Sequence, residues 1–142
     1  MIFTQQMNMI TLTRDDLSYT FLPTGDIFEF TQASTLINLF QGNPADGSTN
    51  NIYLRVYTEQ GISSYPLLGI HSGSKLSGTD DRLIYEGSIE AINYRVTFAP
   101  AKDGIWFWQL QLSGSGETVD VVYGQDVGIA EKKAVSSPMS CI

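Results

Sequence analysis

Nucleophilic catalysis by serine or cysteine needs a base beside the nucleophile. The chain has one histidine, His71, within Gly69-Ile70-His71-Ser72-Gly73. That pattern reads as a strand running into a loop, and no G-x-S-x-G elbow accompanies it. His71 is therefore expected at the surface of a strand end. One histidine and one distant cysteine, Cys141, cannot assemble a zinc site. Asp80-Asp81 sets two carboxylates side by side, but neighbours on an extended chain point opposite ways, so a solvated turn is expected. EF-hand spacing, a P-loop and G-x-G-x-x-G are missing from the sequence, and no cofactor is expected.

Glycoside chemistry uses a pair of carboxylates, and 15 acidic residues are available. None is flanked in a way that marks an acid catalyst, so no catalytic residue is assigned. The most specific setting is that of Asp126 in Tyr123-Gly124-Gln125-Asp126-Val127-Gly128, where two glycines flank two polar side chains. Sugars also pack their C–H faces on aromatic rings. Trp106 and Trp108 share a strand face with Leu110 and Leu112, which makes them core before platform. Tyr53 and Tyr57, on the same face as Arg55, fit an exposed or interfacial aromatic patch better.

These residues are positioned by strands. In Asn51–Thr58, Ile52, Leu54 and Val56 alternate with Tyr53, Arg55 and Tyr57; Ala91–Ala99 and Ile105–Leu112 alternate in the same way. Such β-branched and aromatic alternation predicts half-buried strands. Further strands are expected at Met9–Thr13, Leu17–Leu22, Ile27–Thr31, Tyr65–Ile70, Arg82–Glu86 and Thr118–Tyr123. Turn chemistry separates them, and Asp103-Gly104 predicts a type I′ hairpin between two of the strongest. A short helical turn is expected around Ile129–Ala134. The fold class that follows is all-β with little helix, an antiparallel β-sandwich in preference to a barrel.

Composition narrows the rest. A chain of 142 residues is one domain on length. Its net charge of −7 and pI near 4.4 repel a phosphate backbone and an anionic bilayer. Lys75, Lys102, Lys132 and Lys133 form no basic stripe. Neither nucleic acid nor a membrane is expected as a partner. A lone cysteine cannot close an internal disulfide, and Met1–Thr13 lacks a cationic, uninterrupted apolar leader, so a cytoplasmic location is expected.

The stretch Val119-Asp120-Val121-Val122-Tyr123-Gly124-Gln125-Asp126-Val127-Gly128-Ile129-Ala130-Glu131-Lys132 resembles a segment near the end of the N-terminal β-sandwich of 1,2-β-oligoglucan phosphorylases. These are inverting sugar phosphorylases of the clan that includes cellobiose phosphorylase and cyclic β-1,2-glucan synthase. Thr24-Gly25-Asp26-Ile27-Phe28, Leu36-Ile37-Asn38 and Asn51-Ile52-Tyr53-Leu54-Arg55 resemble the same domain. The resemblance implies a supersandwich-like domain that packs against a catalytic (α/α) barrel, which carries the acid and the phosphate site. It implies a share in a homodimer interface and in the edge of the sugar cleft, and Tyr123, Gln125 and Asp126 are the residues expected there.

Residues 1–135 are expected to be the sandwich and 136–142 an aberrant tail. Relatives continue after Ala-Val with Ser-Asn-Glu-aliphatic-Tyr, whereas this chain reads Ser136-Ser137-Pro138-Met139-Ser140-Cys141-Ile142. If Ser137 to Ile142 are encoded AGT-CCA-ATG-AGC-TGT-ATN, the shifted frame TCC-AAT-GAG-CTG-TAT restores Ser-Asn-Glu-Leu-Tyr. A frameshift truncating a longer phosphorylase is the expectation. The alternative, from another class, is a stand-alone carbohydrate-binding module that uses Tyr53 and Tyr57 to hold a β-glucan or oligosaccharide. A small sandwich enzyme using Asp126 or His71 has the least behind it.

Overall fold

The computed structural model describes residues 8–132, and these form twelve strands. They are β1 (Ile10–Arg14), β2 (Leu17–Phe21), β3 (Ile27–Gln32), β4 (Thr35–Leu36), β5 (Asn51–Thr58), β6 (Gly61–Pro66), β7 (Lys75–Gly78), β8 (Leu83–Ile89), β9 (Ile92–Pro100), β10 (Trp106–Ser113), β11 (Thr118–Gly124) and β12 (Ala130–Glu131). Pairing is antiparallel throughout, in three sheets ordered β1-β2-β3-β4-β12, β10-β9-β8-β7 and β11-β5-β6. The all-β sandwich expected from the alternation is the architecture found. Among the described residues no helix is long and apolar enough to cross a membrane.

The alternation also names the core. Ile52, Leu54 and Val56 of β5, and Ile92, Tyr94, Val96 and Phe98 of β9, all face inward and are buried. Phe98 is the hub between the two larger sheets, with its ring centroid 5.1 Å from Phe21 and 5.2 Å from Tyr19. Edge-to-face pairs of this kind add roughly 0.5–1.5 kcal/mol each to the burial of the rings. Trp106 reaches the same cluster, 5.5 Å from Phe30, and Trp108 lies 4.8 Å from Phe98. Both tryptophans are partly buried and packed on the core, as their shared face with Leu110 predicts.

Asp103 and Gly104 both hold positive φ, 64° and 74°, which a type I′ turn requires. The Ile105 N–H donates to the Lys102 carbonyl across that turn. Two expectations need correction. The strand expected at Tyr65–Ile70 runs instead from Gly61 to Pro66. Gly69 turns the chain with φ 85°, and Asn51 secures the departing backbone: its Nδ2 donates to the Leu68 carbonyl and its Oδ1 accepts from the Leu68 N–H. Of the helical turn expected around Ile129–Ala134, Ala130–Glu131 form β12 instead, Lys132 is helical, and residues 133–134 lie outside the described residues. That two-residue strand pairs with β4, because the Lys132 and Gly128 N–H groups find acceptors on Ser34 and Ile37.

Candidate functional site

After β11 the chain leaves the sheet and crosses as a strap to β12, and all three residues expected at a cleft or interface lie where it departs. The Tyr123 hydroxyl donates to Gln125 Oε1 at 2.8 Å, and Gln125 Nε2 donates to the Asp126 carbonyl at 3.1 Å. The Asp126 N–H donates to the Asn50 side-chain carbonyl, while Asp126 Oδ2 accepts the Phe40 N–H at 2.8 Å. One carboxylate thus pins the strap to the loop after β4. Gly128 lets it lie flat, since a Cβ there would overlap the Leu39 side chain at 1.9 Å. Pinned in this way, the strap leaves Tyr123, Val127, Ile129 and Phe40 exposed as apolar surface.

Burial raises the Tyr123 pKa. Trp106, Trp108 and Leu110 of β10 and Val119, Val121 and Tyr123 of β11 all take inward-facing positions in their ladders. The Trp108 indole nitrogen is buried without a hydrogen-bond acceptor. The loop Gly114–Glu117, with Ile92, Leu112 and Val119, lines an open pocket of about 210 Å³.

The second expected patch occupies the outer face of the three-stranded sheet. Tyr53 stands between Val122 and Pro66 of its neighbours. Arg55 makes a two-point pair with Asp120, Nε to Oδ1 at 2.7 Å and an outer nitrogen to Oδ2 at 2.6 Å. The Tyr57 hydroxyl donates to that second oxygen at 2.7 Å, and the guanidinium lies 5.7 Å from the Tyr57 ring centre. Hydrogen bonds from Arg55 and then Tyr57 hold the Asp120 carboxyl at about 2. The structure places Tyr53 and Tyr57 on one face but ties Tyr57 into a charge pair. Geometrically, this arrangement can present aromatic edges beside a fixed, neutralised pair.

His71 lies exposed in the turn after β6, with Nε2 2.9 Å from the Asp46 carbonyl oxygen, far along the chain from Asp126. Asp80 and Asp81 occupy the turn between β7 and β8, where Thr79 Oγ1 donates to Asp81. Cys141 and the tail 136–142 lie outside the described residues. Among those described, no group of His, Cys, Asp or Glu gathers into a metal site.

Sequence reasoning missed the buried polar residues that shape these loops. Asn38, wholly buried, accepts the Phe30 N–H and donates to the Phe28 and Phe40 carbonyls, standing in for a strand partner. Asp26 is buried as well, and its Oδ2 accepts from Thr24 Oγ1 at 2.7 Å and from the Ile70 N–H at 2.9 Å. Asn50 holds the strap. The available signal was an asparagine or aspartate next to apolar strand residues, a pattern equally common in exposed turns.

The profile of the SOGP N-terminal domain family matches residues 20–138. The chain is also 29% identical, over 124 residues, to the 1,2-beta-oligoglucan phosphorylase of Listeria innocua. That alignment covers 87% of this chain but only 11% of the relative. The matched span begins within β2 and takes in β3, the Asn38 and Asn50 anchors, the Arg55–Asp120 pair and the whole strap. On that match, which agrees with the resemblance carried by the Tyr-Gly-Gln-Asp segment, the chain belongs to the SOGP N-terminal domain family.

Proposed function

We propose that this domain is the non-catalytic N-terminal sandwich of a β-glucan phosphorylase-type enzyme of carbohydrate metabolism, acting in the cytoplasm. Its work is to carry the catalytic barrel and to line the edge of the sugar cleft with Tyr123, Gln125 and Asp126. The observation behind this reading is the family match across residues 20–138 joined to the pinned strap. A carboxylate spent on holding backbone is a poor acid catalyst but a good way to present Tyr123, Val127 and Ile129 at a fixed height. Chemistry then falls to the remainder of the enzyme.

A domain swap tests it. Removing the matched segment from the Listeria innocua relative should cost soluble, active phosphorylase, and inserting residues 20–138 of this chain should restore it. Full activity without the segment would sink the reading. The isolated chain should release no sugar phosphate from β-1,2-glucan and inorganic phosphate. The proposed truncation is tested separately, by reading the DNA past codon 136 for a shifted frame that encodes a long helical domain.

A second reading, a carbohydrate-binding module, draws on the Tyr53, Arg55, Tyr57 and Asp120 face, where aromatic edges flank a fixed polar pair. Titration with β-1,2-glucan separates the two. Saturable binding that is lost in Tyr53→Ala favours the module, and its absence leaves the supporting domain.

A further inference from the structure

The outer face of the four-stranded sheet carries a pocket that shares no residue with the strap or with the Arg55–Asp120 face. Directly opposed residues of an antiparallel ladder lie on one face of the sheet. Trp108 lies opposite Phe98 and points inward with it. Its neighbours Phe107, opposite Ala99, and Gln109, opposite Thr97, therefore point outward. Arg82 joins them from the turn before β8. These five residues, with Trp108 between two of them, line an open pocket of about 430 Å³. That volume lies within the range of small-molecule sites.

The polar groups of this pocket are unengaged. Among the described residues, the Thr97 hydroxyl and the Gln109 amide have no hydrogen-bond partner, and Arg82 meets Asp81 through Nε alone, at 3.6 Å. The hydroxyl and the amide can each donate and accept, and the guanidinium donates. The Phe107 ring is 57% exposed, and Ala99 opposite it contributes only a methyl group. No carboxylate lines the pocket. In the next outward row, Arg95 lies opposite Glu86 and pairs with it at 2.8 Å, so the neighbouring charges cancel. The other two surfaces differ in this respect. Arg55, Tyr57 and Asp120 satisfy one another, while Gln125 and Asp126 are occupied in holding the strap.

We propose that this pocket binds a neutral oligosaccharide. A sugar ring presents a C–H face that packs on an aromatic ring, and a rim of hydroxyls that both donate and accept. Phe107 takes the face, and Gln109, Thr97 and Arg82 take the hydroxyls. The net charge of −7 disfavours an anion. A purely apolar ligand would strip three polar side chains of water and give them no partner in return. The site needs no catalytic barrel, so its failure leaves the phosphorylase reading untouched. It is also separate from Tyr53 and Tyr57, so one titration tells the two surfaces apart.

The test is titration of the full chain with cellopentaose and with a β-1,2-linked gluco-oligosaccharide, read by calorimetry and by tryptophan emission. Trp108 lines the pocket, so emission should change as the sugar binds. Phe107→Ala should raise the dissociation constant at least ~10-fold, and Gln109→Ala ~2- to 10-fold. Both positions are exposed. Phe107→Leu keeps apolar bulk without the ring, and serves if the alanine variant folds poorly by circular dichroism. Tyr53→Ala should bind as the parent does. The absence of saturable binding overturns the proposal, as does binding indifferent to the Phe107 and Gln109 variants or lost with Tyr53→Ala. Sodium benzoate offers Arg82 a carboxylate and Phe107 a ring. Tighter binding of benzoate than of either sugar also overturns the proposal.

Discussion

Asp120 shows how a single carboxylate can join two strands. Arg55 and Tyr57 on β5 both reach it across the ladder, and their hydrogen bonds lower its carboxyl from 3.8 to about 2. A folded-state pKa below the unfolded value stabilises the native state above the unfolded pKa, and that stabilisation fades as pH falls through the folded one. The pair should therefore contribute fully above about pH 4 and vanish towards about pH 2. In urea titrations, Asp120→Asn should unfold earlier than the parent at neutral pH, and the gap should close on acidification. A gap that stays constant would mean the pair contributes packing alone. Gly69 belongs to the same scale. Its φ is 85°, and an added Cβ would meet the Asp26 carboxylate at 1.7 Å. Gly69→Ala should cost more than ~2 kcal/mol, whereas Gly73→Ala, with open space around it, should be near neutral in the same denaturant midpoint.

The strap is the element where sequence and structure part company. Strands with six or more alternating residues were legible because burial on one face imposes a period of two, and β5, β9 and β10 fell within a residue of their expected bounds. The short elements β4, β7 and β12 were not, since two to four residues carry no period. Their positions are set by distant partners: Leu36 by Thr31 and Ala130, and β7 by β8. The Tyr123–Gln125–Asp126 segment stood out through its glycines, but what Asp126 holds, the Phe40 N–H 86 residues away, leaves no trace in local sequence. Asp126→Ala removes an acceptor from that amide and should cost about 1 kcal/mol. Asp126→Asn keeps a carbonyl oxygen and should recover most of it. Equal losses in the two variants, measured by thermal unfolding, would show that charge and not the hydrogen bond fixes the strap.

At the scale of the whole molecule, three sheets share one core. Leu54 belongs to the three-stranded sheet, Phe98 to the four-stranded one and Tyr19 to the five-stranded one, and all three are fully buried in a single cluster. No sheet can lose its neighbours without exposing the others, so the domain should unfold as one cooperative unit. Leu54→Ala should cost about 2–5 kcal/mol and Phe98→Ala about 3–5 kcal/mol, the ranges for large-to-small changes at sites that cannot collapse. Each should move the entire transition. Tryptophan emission reports β10, at the edge of the four-stranded sheet, and far-UV circular dichroism reports every strand. The two midpoints should coincide in the parent and shift together in both variants. If Leu54→Ala separated them, with the dichroism falling before the emission, the three-stranded sheet would be an independent unit. The strap leaving β11 would then be anchored to a part of the molecule that can open alone.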